Sequence, residues 1–379
     1  MKPCIFSKMI PIPALLIASL TNAVEVYNKG DNKLDINGKV NGIYHISAKQ
    51  KETITDDHSN LSFGVRGESR INDQLTGYGQ WEYKALLNTS ENESTKDSHM
   101  DLGFAGIKFN NGSSLDYGRN YGIAYDIAAW TDVLPGFGGD TYGADNFMFH
   151  RGSRMTTYRS NNFFGLLNGL NFAFQHQGQN TNYSEISSAG RDVLSENGNG
   201  WGFSTTYKLD SGIEIGAAMF HSKRTNNQNG DNPRTIEIVG HDSSAEAYTG
   251  GLRYNANNIY LAAMYTRSYN ATRFGNPNID NTGIYGYAAT ANNIELVAQY
   301  KSDFGLCPSL GFVSSKGYIQ GYGIRNMKKY ISVGATYNFS KNLSTHIAYQ
   351  INLLNSNSFT DAMGVATDNV ISVGLVYRF

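Results

Sequence analysis

Apolar and polar residues alternate with a period of two along most of the chain. Leu34, Ile36, Gly38, Val40, Gly42, Tyr44 and Ile46 are apolar or small. Asp35, Asn37, Lys39, Asn41, His45 and Ser47 alternate with them, and only Ile43 breaks the pattern. Period two predicts a strand with one apolar and one polar face. This run is longer than the usual globular strand of about five to six residues. A tilted strand that crosses a bilayer needs about nine to eleven residues in the hydrocarbon, and more outside it.

The pattern returns down the chain. Leu61, Phe63 and Val65 oppose Ser62, Gly64, Arg66 and Glu68; Trp81 and Tyr83 oppose Gln80, Glu82 and Lys84; Leu102 and Phe104 oppose Asp101 and Gly103. Further stripes include Leu261, Ala263 and Tyr265, then Ile331, Val333, Ala335, Tyr337 and Phe339, and finally Ile371, Val373, Leu375, Tyr377 and Phe379. Short connections at 209–212, 255–258, 302–305 and 340–342 contrast with long polar ones at 84–98, 178–199, 224–243, 270–283, 316–328 and 354–368. Short turns on one rim and long loops on the other predict an all-β fold: a roughly 16-stranded antiparallel transmembrane β-barrel with short periplasmic turns and long outer loops. Closure is required because an open edge would leave backbone N–H and C=O groups unpaired in lipid. A polar inward face implies water inside. A large soluble β-protein is the alternative, but it would need two apolar faces.

One connection differs from the others. Residues 121–151 are rich in Tyr, Phe, Trp and Ile, and Pro135, Gly136, Gly138 and Gly139 break any helix. A loop of about thirty residues between strands is functional or disordered. This one is expected to fold into the barrel mouth and carry Asp126, Asp132, Asp140 and Asp145 toward a basic wall. A surface loop packed on itself is the alternative.

Composition narrows the class. The 379 residues include 41 Gly and 25 Tyr but only 7 Pro, unlike a helical protein. The formal net charge of −1 gives no sign of a nucleic-acid binder. Lys2 and Lys8, the apolar run 9–20 and the small Ala23 form a secretory signal peptide over 1–23, with cleavage expected after Ala23 and a barrel domain over 24–379. Cys4 leaves with it, so Cys307 is expected as a single, inert thiol. Scattered histidines argue against a zinc site, and no cofactor is expected. His99 and His150 are candidates for a pH-sensitive pore. Asp140 is expected to tie down loop backbone. No nucleophile-elbow, zinc-protease or phosphate-loop motif is present.

GYGQWEY (77–83), DYGRNYG (116–122), LPGFGGDT (134–141), ANNIYLAA (256–263), LVAQY (296–300), VGATYNF (333–339) and the terminal VYRF (376–379) together resemble the enterobacterial general porins, over essentially the whole mature chain. The resemblance implies homotrimers in the Gram-negative outer membrane, in contact with lipid and lipopolysaccharide, with the third outer loop folded inward. It implies that the barrel-assembly machinery reads Phe379. It places Lys39, Glu82, Asp132 and Arg151 at the pore constriction. It puts Ser62 and Asp101 where the family has arginines, Gly136 where it has a glutamate, and Cys307 where it has a lumen arginine. Glu91 and Arg119 match a subunit latch, and Arg66 and Arg154 are possible additional lumen charges. Opposed charges across a narrow gap orient dipolar solutes and select ions. Loss of two arginines and one glutamate, with gain of one aspartate, predicts a wider and more cation-preferring pore for passive diffusion of small hydrophilic solutes and ions. A substrate-selective porin, a barrel enzyme and a receptor role for the outer loops are the competing functions.

Overall fold

A computed structural model describes residues 24–47, 57–93, 98–181, 191–229, 238–239, 242–275 and 285–379. The signal peptide expected over 1–23 lies outside them. In chain order the strands are β1 (Val24–Lys29), β2 (Asn32–Ser47), β3 (Asn60–Arg70), β4 (Leu75–Leu86), β5 (His99–Phe109), β6 (Ser113–Tyr121), β7 (Arg151–Ser160), β8 (Leu170–Gln177), β9 (Gly200–Lys208) and β10 (Ile213–Lys223). They continue as β11 (Ile238–Val239), β12 (Ser244–Ala256), β13 (Ile259–Tyr269), β14 (Arg273–Phe274), β15 (Tyr285–Tyr287), β16 (Thr290–Tyr300), β17 (Leu306–Ile319), β18 (Gly323–Asn338), β19 (Leu343–Asn352) and β20 (Val370–Arg378).

Sixteen of these strands form a closed antiparallel ring, and β20 pairs back onto β2 to complete it. The short β1 pairs only with the lower part of β2, where it continues the line of β20. The minor strands β11, β14 and β15 form a small sheet among the outer loops. Every described wall strand therefore finds a partner on both sides, as hydrocarbon demands.

The wall is inside-out relative to a soluble protein. Leu252, Leu261, Leu310, Val333, Ile347 and Leu375 face outward and are exposed, while Thr249, Thr266, Asn293, Ser332 and Ser372 face inward and are buried. Exposed aromatics gather toward the strand ends, with Phe109, Tyr300, Phe339 and Tyr377 beside the short turns and Tyr44, Tyr248, Tyr269 and Tyr318 nearer the loops. Among the described residues no helix is long and apolar enough to cross a membrane.

The chain ends locked into the ring. Phe379 N–H donates to the Gly38 carbonyl and Gly38 N–H to the Phe379 carbonyl, at 3.0 and 2.9 Å. A Cβ on Gly38 would lie 2.2–2.7 Å from the Phe379 ring, so only glycine lets the terminal ring lie flat there.

Two connections depart from expectation. Residues 316–328 are not a long loop: β17 and β18 run on to a tight turn, because Lys316 to Ile319 keep the strand alternation and pair with Asn326 to Gly323. Within 354–368, Ser358–Ala362 forms a short helix whose Asn357 caps it with a reciprocal box to Thr360.

Candidate functional site

The loop between β6 and β7 enters the barrel, as its composition predicted. A one-turn helix α1 (Tyr125–Ala128) and the following residues lie on the inner wall, with Ile127 and Trp130 buried. Small residues make room: a Cβ on Gly251 would sit 2.5 Å from Ile127 and 3.0 Å from Trp130, and one on Gly216 at 2.5 and 2.8 Å. Polar anchors fix the loop at both ends. Arg159 donates to Asp126 at 2.8 Å, and Ser204 at 2.5 Å. Tyr260 donates to the Trp130 carbonyl at 2.6 Å, and Arg253 lies over the Trp130 ring while bonding Glu214. Further on, Thr131 and Thr141 both donate to the buried Glu295, at 2.7 and 2.6 Å. Lys328 on the wall holds Asp140 through its carbonyl at 2.5 Å and its carboxylate at 3.2 Å, so the loop is pinned here by a wall lysine rather than by an Asp140 bond to loop backbone. None of these wall partners carried a sequence motif; each is one polar residue among many on an inward face.

Across the remaining gap the expected charges converge. Lys39 lies within electrostatic reach of Glu82 and Asp101. Glu82 is within reach of Asp101 and Arg151, and Asp132 of Arg151 and Lys39. Asp132 accepts from the Tyr125 hydroxyl at 2.6 Å. Burial of this loop carboxylate raises its pKa, while the hydrogen bond from Tyr125 and the charges of Arg151 and Lys39 partly oppose the rise.

Asp101 faces the lumen, the side its strand phase gave, but the residues that follow it do not keep that phase. The register shifts between Glu82 and Tyr83, which leaves Asp101 as the extra residue of a bulge. Beyond it Leu102 is buried and Phe104 packs edge-on against the inward Tyr78, so both face the lumen rather than lipid. The Asp101 carboxylate takes the Arg151 guanidinium in close contact and His99 Nε2 at 3.1 Å.

Several other expectations need correction. Gly136 is not a gap in the pore lining: a Cβ there would start 3.0 Å from Ser372 and 3.4 Å from Ala348, because the loop tip rests on the far wall. The ring of its neighbour Phe137 lies tilted against His45, with centroids 5.5 Å apart. The widening expected from Gly136 therefore has no structural basis. Arg154 is exposed, sits at φ 59°, and donates to the Gln179 carbonyl at the outer rim, away from the constriction. Arg66 faces inward but pairs with Glu68 at 2.8 Å, in a separate cluster with Lys108 nearer the short turns. His150 is packed among Tyr121, Tyr125 and Tyr142. Burial first, then Arg151, push its pKa down to about 3, so it is neutral through the physiological range.

Arg119 lies at a second bulge and grips Asp145 with both terminal nitrogens, at 2.7 and 2.9 Å. Glu91 opens a 3-10 turn, Glu91–Glu93, in the preceding outer connection. Cys307 is a partly buried free thiol on the inward phase of β17.

Register exposes two cations that sequence reasoning left aside. Arg378 pairs with Lys39, Lys39 with Ser62, and Ser62 with Lys84, across β20, β2, β3 and β4. Directly paired residues point to the same face of a sheet, so all four face the lumen in one row across neighbouring strands, a row that the strand tilt inclines to the barrel axis. The only signal in the sequence was their polar phase, which many other residues share.

The Gram-negative porin family model matches residues 29–379. Outer membrane porin C of Salmonella typhimurium is 50% identical over 375 residues, covering 97% of this chain and 98% of the relative. Outer membrane porin N of Escherichia coli is 48% identical over 383 residues, with 97% and 98% covered. Among solved structures, Salmonella typhi OmpF in complex with daunomycin superposes with a TM-score of 0.82 at 38% identity, covering 94% of this chain and all of that one.

Proposed function

Because the chain belongs to the Gram-negative porin family and is an outer-membrane barrel, we propose that it is a water-filled channel for passive diffusion of small hydrophilic solutes and ions, with no covalent chemistry of its own. The observation that carries this reading is the barrel interior: a polar inner wall narrowed by one inward loop, with Asp132 on the loop side and Lys39 and Arg151 on the wall. Fixed charges of opposite sign across a narrow aqueous gap sort solutes by charge and dipole rather than by chemical identity.

The finer features follow from the same reading. The chain is exported by cleavage after Ala23, assembled through Phe379 by the barrel-assembly machinery, and set as a homotrimer among lipid and lipopolysaccharide. Glu91 and Arg119 latch neighbouring subunits, with Asp145 holding the Arg119 guanidinium in place. The ion preference is weak. The losses at Ser62 and Asp101 favour cations, and Asp101 neutralises Arg151 by direct contact. Lys84 and Arg378 restore positive charge beside Lys39. The preference for cations is therefore smaller than the losses alone predict.

Planar-bilayer recording in a salt gradient tests this. Conductance in steps of three, with a reversal potential only slightly favouring cations, is expected. Absence of conductance from folded, heat-modifiable protein would remove the channel reading; strong anion preference would remove the charge argument and keep the channel.

A further inference from the structure

The inward-facing cations of this barrel divide into two kinds. Arg151, Arg159 and Arg253 each contact a carboxylate: Asp101, Asp126 and Glu214. Arg66 and Lys108 share Glu68. Lys39, Lys84 and Arg378 differ. Among the described residues no carboxylate lies within 4.0 Å of any of them, and the one side-chain partner of Arg378 is the Ser344 hydroxyl at 3.1 Å. Yet they stand together. Arg378 and Lys84 are the like charges that Lys39 feels most strongly. The register puts Arg378 one strand from Lys39, and Lys84 two strands from it with Ser62 between. At about 4.8 Å per strand, Lys39 and Lys84 flank the Ser62 hydroxyl with backbones roughly 10 Å apart.

We propose that this row is a seat for the oxyanion of a solute, a carboxylate or phosphate group resting over Ser62 between the Lys39 and Lys84 ammoniums, with Arg378 alongside. Three neighbouring, partly buried cations, which Glu82 and Asp101 offset only at longer range, gain most from an anion that bridges them. The Ser62 hydroxyl is a short donor in a place where a larger side chain would fill the gap. The seat rests on the lumen being water-filled, and it makes phosphorylated or carboxylated solutes linger in a pore whose overall ion preference is weak.

The test is phosphorus NMR line broadening of inorganic phosphate added to the refolded barrel in a phosphate-free detergent, with folding checked by heat-modifiable gel mobility. The intact protein should broaden the line in a saturable way. Lys84→Gln and Arg378→Gln should each weaken the association about tenfold, Ser62→Ala about threefold, and Lys84→Arg should restore it. Lys208→Gln, an exposed cation at the end of β9, should change nothing. No saturable broadening by the intact protein, or equal broadening by all variants, overturns the seat. Chloride conductance is measured on the same preparations: conductance without phosphate binding defeats the seat alone, while phosphate binding without conductance upholds the seat and defeats the channel.

Discussion

Two halves of one inner wall use the same alternation for opposite ends. Along β7 to β16 inward residues lie under the loop, and two of their cations are matched: Arg159 with Asp126, and Arg253 with Glu214. Along β20, β2, β3 and β4 only the loop tip touches the wall, and Lys39, Lys84 and Arg378 have no carboxylate within 4.0 Å among the described residues, Glu82 and Asp101 acting on Lys39 from farther off. A charge under the loop is desolvated, so it needs a partner to be tolerated. A partly buried charge bordering the lumen is held less tightly and stays available to a passing ion. Pairing therefore separates what holds the constriction in place from what the constriction does.

That contrast breaks most visibly in stability. Asp126→Asn strips the charge partner from the buried Arg159 and should cost about 3–5 kcal/mol, read from the urea midpoint of the refolded barrel. Lys39→Gln, on the open half, should stay within about 0.5 kcal/mol of the parent. Equal losses in the two variants would erase the distinction. Gly251→Ala should fall between them, at about 1–3 kcal/mol, because its methyl meets Ile127 and Trp130. It should also loosen the loop and raise single-channel conductance.

The fold was legible because the membrane imposes period two on every strand, and Leu34 to Ser47 already display it. The inward loop was legible because an aromatic segment among polar loops must be covered by something. Phase placed Asp101 inward but failed just beyond it: the bulge at Asp101 shifts the strand by one residue, so Leu102 and Phe104 were assigned outward and in fact face the lumen. It failed at Arg154 too, where a positive φ carries the side chain to the rim. Lys84 and Arg378 were visible as inward residues, but only cross-strand register sets them beside Lys39. Register depends on turn geometry and the shear of the closed ring, which local patterning does not encode.

Selectivity sharpens the comparison next. The double variant Lys84→Gln with Arg378→Gln should shift the cation-to-anion permeability ratio toward cations by about threefold. Asp101→Asn should move it the other way by freeing Arg151. Unchanged reversal potentials in both would mean that the open half does not set the ion preference. Acidification has a smaller effect with a definite sign. The raised pKa of Asp132 means that this carboxylate takes up its proton at a higher pH than the ordinary value of about 3.9. Cation permeability should fall about twofold as pH drops through that window, and Asp132→Asn should abolish the step.

The smallest effect concerns His150, which the sequence offered as a pH sensor. Its ring lies against Tyr125 at a centroid distance of 4.5 Å, on the covered side of the loop, and its pKa is depressed to about 3. A base with a depressed folded-state pKa stays neutral while its unfolded counterpart, near about 6.5, takes up a proton. Its neutral burial thus supports the fold above the unfolded value, and that support drains as pH falls from there toward the folded one. Permeability should show no step from His150 between about pH 5 and 8, while acid stability should be less steep in His150→Phe. A conductance transition near neutral pH that vanishes in His150→Phe would place the ring in open water, and would move the boundary between the covered and open halves to the other side of the loop.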